Sequence, residues 1–170
     1  AHLISKWKET TGMLQSVQPA SICEPFKAGW ARAMALTGKP EAACTFLSDR
    51  TASLSDDIFK FSILMSAAKQ AGNVELARQA GLQLAEEYTT QQPAFGYIAP
   101  HAALNPEQLA SQLIDLGLQF EAIRILEYAL YHAPYQEPWL IKLIDIQLSA
   151  SKHLQAANNL QILAGLHPDD

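Results

Sequence analysis

The sequence predicts an all-α chain built of repeated helix pairs, and three observations support that fold class. The stretches 122–134 and 156–168 each run from an alanine to a proline and lie 34 residues apart, a period at which helix pairs repeat. Turn signals at Gly38, Gly72, Gly117 and Ser151 are separated by 34, 45 and 34 residues. No segment alternates polar and apolar residues over the length of a strand. We therefore expect helices throughout the chain.

The first elements follow from apolar periodicity. We expect an amphipathic helix over about 3–17, then a helix pair that turns near Gly38. A second pair is predicted over 58–68 and 76–88, where apolar residues recur at helical spacing. The serine and two aspartates at 55–57 offer that pair an N-cap and two first-turn carboxylates.

The third and fourth pairs begin at signals that contain proline. Asn105-Pro106 offers an N-cap and a first-turn proline, and Glu137-Pro138 repeats that plan less fully. A small residue follows each of the four turns, at the point where the second helix of a pair must come close to the first. These small residues are Ala43, Ala77, Ala122 and Ala156.

The middle interval exceeds the repeat by eleven residues, which predicts one insertion within 89–104. A connection of that length is unusual in a compact helical array, and this one contains Phe95, Tyr97 and Ile98. Two interpretations stay open. Either these side chains pack back onto the helices, or Phe95 and Tyr97 hold a partner segment, since aromatic residues are good anchors.

Composition limits the function classes. The chain has 170 residues, of which 49% are hydrophobic, and a formal net charge of -5. Its basic residues form no run that could follow a phosphate backbone, so we do not expect nucleic-acid binding. Charged residues interrupt every long apolar stretch, so we expect no membrane span. Cys23 and Cys44 are too few for a disulfide framework; two reduced thiols are compatible with the cytoplasm, and a periplasmic location stays open.

A family resemblance is most complete over 105–168. The matching residues are Leu109, Ala110, Gly117, Ala122, Leu126, Ala129 and Pro134 in the third repeat and Leu143, Ala156, Leu160 and Pro168 in the fourth. On these positions the chain resembles the tetratricopeptide-repeat (TPR) family, and it does so less fully over 24–89. Ile144 and Gln147 depart from the pattern, which has a small residue and an aromatic residue there.

The resemblance implies a right-handed α-solenoid that forms a single domain over 1–170, with an extra N-terminal helix. Its repeats would span 24–55, 56–89, 103–136 and 137–170. The third repeat is also similar to single repeats of bacterial envelope-assembly and pilus-associated scaffold proteins, which suggests a bacterial source. Because a repeat would normally continue into a further helix after Pro168, we expect this chain to be a fragment of a longer protein.

The resemblance also implies that the first helix of each repeat lines a concave groove for a peptide or protein partner. These groove positions and the insertion together make the predicted partner-binding residues Arg32, Phe59, Ser66, Lys69, Phe95, Tyr97, Ser111, Asp115, Ile141 and Asp145, and Glu107 is a further groove position. The groove would be cationic near Arg32 and Lys69 and acidic near Asp115 and Asp145. For these two aspartates, a solvated helix face is the alternative.

The sequence contains no recognisable reaction centre. Its five histidines lack metal-binding spacing, and it has neither a glycine-rich phosphate loop nor a nucleophile elbow. We therefore expect no enzyme, no metal and no cofactor. The leading hypothesis is a protein–protein interaction scaffold or adaptor within a larger assembly, such as a bacterial envelope, pilus or secretion apparatus. The alternative is a purely structural repeat segment that mediates intrachain stacking or homo-oligomerisation.

Overall fold

The computed structural model describes residues 30–32, 34–35, 38–48, 57–90 and 104–166. Within these ranges every regular element is a helix, which confirms the predicted all-α class. The helices are α1 (Pro40–Ser48), α2 (Asp57–Gln70), α3 (Val74–Thr90), α4 (Pro106–Asp115), α5 (Gln119–His132), α6 (Glu137–Ser149) and α7 (His153–Leu166). The helix predicted over 3–17 and the insertion with Phe95 and Tyr97 lie outside the described residues.

The chain divides into two compact units, Ala1–Leu84 and Ala85–Asp170. The boundary falls inside α3, which contributes residues to both units. None of the helices in the described ranges is both long enough and apolar enough to cross a lipid bilayer.

The four predicted turns share one backbone geometry. Gly38, Gly72, Gly117 and Ser151 all have positive φ, at 84°, 74°, 73° and 58°. The amide of each donates to the carbonyl three residues earlier, and the next amide donates to the carbonyl five residues before it, which is the Schellman arrangement of helix C-termini. These longer bonds are Lys39 to Met34 (3.1 Å), Asn73 to Ala68 (2.9 Å), Leu118 to Leu113 (2.9 Å) and Lys152 to Gln147 (2.8 Å).

The small residue that follows each turn lies where the sequence predicted close packing. Ala43, Ala77, Ala122 and Ala156 are each 0% exposed. Each stands five residues after the positive-φ residue, and its amide donates to the carbonyl of the residue that ends the turn. A larger side chain at any of these positions would have no room beside the neighbouring helix.

In the first unit, α1 packs against α2. Trp30 is buried, and its ring meets the Phe46 ring edge to face at a centroid distance of 4.9 Å. Core packing was the prediction for Trp30, and it is confirmed. Asn73 begins α3 by accepting a hydrogen bond from the Leu76 amide at 3.1 Å.

The second unit contains two helix pairs. Helix α4 packs along α5 and α6 along α7, while α6 also contacts α5 and α4. Buried residues Leu140, Ile144 and Ala156 form a core cluster between the last two helices, and Leu130 of α5 packs against it. Trp139 is half-buried and Tyr135 is exposed, as expected for residues near the start of a helix.

Candidate functional site on helix α4

A polar cavity of about 350 Å³ lies along the first turns of α4. Its lining residues are Asn105, Glu107, Gln108, Ser111 and Gln112. All five belong to the second unit, and all carry side chains that form hydrogen bonds.

The sequence places these side chains together by fixing where α4 begins. Asn105 is the N-cap, and its side chain accepts a hydrogen bond from the Glu107 amide at 2.9 Å. Pro106 follows as the first helical residue and is buried. From this start, the lining residues at 107, 108, 111 and 112 share one side of α4, while Leu109, Ala110 and Leu113 face the core.

Two side chains in the cavity have defined hydrogen-bonding states. The Ser111 hydroxyl donates to the Glu107 carbonyl at 2.9 Å, so the lone pairs of its oxygen are what it offers to a ligand. The Gln112 Oε1 atom is buried and has no hydrogen-bond partner among the described residues. A buried acceptor without a donor is costly, so a ligand that supplied an N–H group to Gln112 would recover that cost on binding.

The charge of the cavity points to the same ligand chemistry. Glu107 contributes a carboxylate, and no basic side chain is among the lining residues. The other lining groups are two glutamines, an asparagine and a serine. The cavity therefore suits a ligand rich in N–H donors, such as an extended peptide backbone or a basic side chain.

Four of the predicted groove residues lie in this unit. Ser111 lines the cavity, and Asp115 is exposed one turn further along α4. Ile141 and Asp145 are exposed on α6, at positions that correspond to Glu107 and Ser111 after one 34-residue period. Because α6 contacts α4, these residues belong to one helical layer.

The remaining predicted residues lie elsewhere. Phe59 and Ser66 are half-buried on α2, Lys69 is exposed in its last turn, and Arg32 is exposed in the short helical stretch that precedes α1. These four belong to the first unit, and the structure does not bring them into the cavity. Phe95 and Tyr97 lie outside the described residues.

Sequence reasoning missed Gln112, although the signal was present. Asn105 and Gln108 were interpreted only as signals of a helix start. Gln108 and Gln112 are one turn apart on α4, beside the groove positions Glu107 and Ser111, so a polar stripe could have been read from the spacing. The burial of the Gln112 oxygen could not, because it depends on the surrounding elements.

The titratable groups of the described residues do not form a reaction centre. Burial raises the pKa of the Cys44 thiol, and the Glu41 carboxylate raises it further, so little thiolate forms at neutral pH. Burial also raises the pKa of the Tyr88 hydroxyl, with a smaller contribution from Tyr128. No three His, Cys, Asp or Glu side chains gather there as metal ligands.

Comparison with known proteins adds no relative. No protein-family model matches the chain, and neither the curated proteins nor the solved structures include a match.

Proposed function

We propose that this chain is a TPR-like helical-repeat domain of the α-solenoid type that serves as a protein–protein interaction scaffold or adaptor. Four identical Schellman turns, spaced by 34, 45 and 34 residues, support the repeat assignment. A buried alanine five residues after each turn supports it further. Repeats of this kind expose a row of first helices, which is the usual place for a peptide to bind.

The cavity on α4 is the observation that carries the functional proposal. Its buried, unpartnered Gln112 oxygen is an acceptor that the amide of an extended peptide can satisfy. Glu107 would favour a basic side chain beside that amide, and Ser111 would accept a further hydrogen bond. The partner is therefore an extended segment with at least one lysine or arginine.

Along α6 the proposed groove changes character. Ile141, which is 42% exposed, would contact an apolar residue of the peptide, and Asp145 would pair with a second basic one. In the first two repeats, Arg32, Phe59, Ser66 and Lys69 remain proposed partner contacts, as do Phe95 and Tyr97 in the insertion.

The test begins with selection of peptides from a random displayed library against the 170-residue chain. The selected peptides are then titrated by fluorescence anisotropy against the wild type and Gln112→Leu. We expect basic, extended peptides whose Kd rises about tenfold in Gln112→Leu, because the variant removes an acceptor for a peptide amide, a loss of about 1.4 kcal/mol.

A matched control is available in Gln83→Leu, which makes the same change at an exposed position on α3. It should bind the peptides with wild-type affinity. Peptides that bind both variants equally, or peptides without basic residues, would argue against the cavity as the binding site. Circular dichroism melts of both variants establish that each is folded.

A further inference from the structure

Helix α7 exposes more large apolar side chains than a helix of its length needs. Leu154, Leu160 and Ile162 are all exposed, and Ala156 is its single buried residue. The helix contains no Asp, Glu, Lys or Arg between His153 and Leu166. Its surface is therefore apolar and uncharged, which is the combination found at sites that bind other proteins.

The 34-residue register indicates what kind of surface this is. Ala157, Leu160 and Ala164 correspond to Ile123, Leu126 and Leu130 of α5. In α5 the first two of these are buried, and Leu130 packs against the cluster that contains Leu140 and Ile144 of α6. In α7 the three equivalent residues are exposed. The stripe Ala157–Leu160–Ala164 is thus the position on which another helix packs in the preceding repeat.

We propose that this stripe is a homotypic interface, on which α7 of a second copy of the chain packs in antiparallel orientation about a two-fold axis near Leu160. A helix without formal charge meets its own copy with no like-charge repulsion, as a two-fold interface requires. The small residues at 157 and 164 lie three before and four after Leu160, so each leucine packs between the alanines of the other copy. Gln161 lies beside the axis, where two neutral amides can bond each other.

This interface does not depend on peptide binding by α4, and it should be weak. A single helix face buries less than the roughly 800 Å² per partner of a standard interface, so we expect a Kd of about 10–100 μM. Sedimentation velocity from about 1 to 300 μM should therefore show a reversible shift from monomer to dimer.

Two variants on α7 test the surface. Leu160→Glu should weaken dimerisation at least about 30-fold, because it places two carboxylates at the axis. Ile162→Glu is the matched control, since Ile162 is 52% exposed against 46% for Leu160 and lies about 160° away around the helix. It should change the Kd by less than about threefold. Thermal melts should show that both variants are folded.

The orientation is tested by cross-linking. In a chain without Cys23 and Cys44, Gln161→Cys should form a disulfide dimer on oxidation, whereas Leu154→Cys should not, because two residues at 154 would be separated along the antiparallel helices. A chain that stays monomeric at every concentration overturns the proposal. So does a dimer that Leu160→Glu leaves intact, or one that Leu154→Cys cross-links as well as Gln161→Cys.

Discussion

The two helix pairs of the second unit repeat each other at the turn and differ in the second helix. Both pairs turn through a positive-φ residue and bury an alanine five residues later. Yet Leu126 of α5 is 0% exposed, while Leu160, its counterpart on α7, is 46% exposed. The backbone register is therefore a property of each pair, whereas the burial of its outer residues depends on the helix that packs next to it.

A second difference lies inside the pairs. Leu113 and Ile125 are fully buried in the earlier pair. Their counterparts are Gln147, which is 1% exposed, and Asn159, and here the Asn159 amide donates to the Gln147 side-chain oxygen at 2.9 Å. A polar pair thus occupies the place of an apolar one, and it is tolerated because its buried oxygen has a donor.

The largest effect expected from this comparison is on core leucines. Leu126→Ala should lower the free energy of unfolding by about 3 kcal/mol, because it leaves a cavity between packed helices. The equivalent change Leu160→Ala should cost less than about 1 kcal/mol in the monomer, since the side chain is already half in water. Urea denaturation followed by circular dichroism, at low protein concentration, measures both.

Equal costs at the two positions would contradict the exposure of α7. A large cost for Leu160→Ala that grew with protein concentration would instead agree with dimerisation through that helix, because association stabilises the folded chain by mass action.

The turns should give an effect of intermediate size and opposite sign. Ser151 adopts φ 58° without being glycine, a conformation that costs an L-residue about 1 kcal/mol. Ser151→Gly should therefore stabilise the chain by about 0.5–1 kcal/mol. Gly117→Ala, at φ 73°, should destabilise it by about 1 kcal/mol.

Gly72→Ala serves as the reference for the turns. A Cβ at Gly72 meets no atom within 4 Å, so this variant measures the strain of positive φ alone. If Gly117→Ala cost much more than Gly72→Ala, a steric clash would be acting at the later turn. If Ser151→Gly had no effect, the turn would not be strained. Chemical denaturation of the three variants separates these cases.

The turns and the close helix contacts were predictable from sequence because they depend on local chemistry. Positive φ selects glycine at three of the four turns, and small residues mark the close approach at Ala122 and Ala156. Asn105 was recognisable as a cap for the same reason. The exposure of Leu160 and the buried oxygen of Gln112 were not predictable, because each depends on which elements lie nearby in space.

The smallest effect is expected from the polar pair, and it decides how interchangeable the two repeats are. Gln147→Leu alone removes the acceptor of the Asn159 amide and should cost about 1 kcal/mol. Asn159→Ile alone leaves the buried Gln147 oxygen without its donor and should cost about the same.

The double variant Gln147→Leu/Asn159→Ile restores the residues of the earlier pair, and its stability should return to within about 0.5 kcal/mol of the wild type. The resulting coupling of about 1.5–2 kcal/mol, measured as a double-mutant cycle by urea denaturation, would show that register alone makes the two sites equivalent. Additive losses would mean that α7, with no helix over its outer stripe, has a packing arrangement into which the apolar residues of α4 and α5 do not fit.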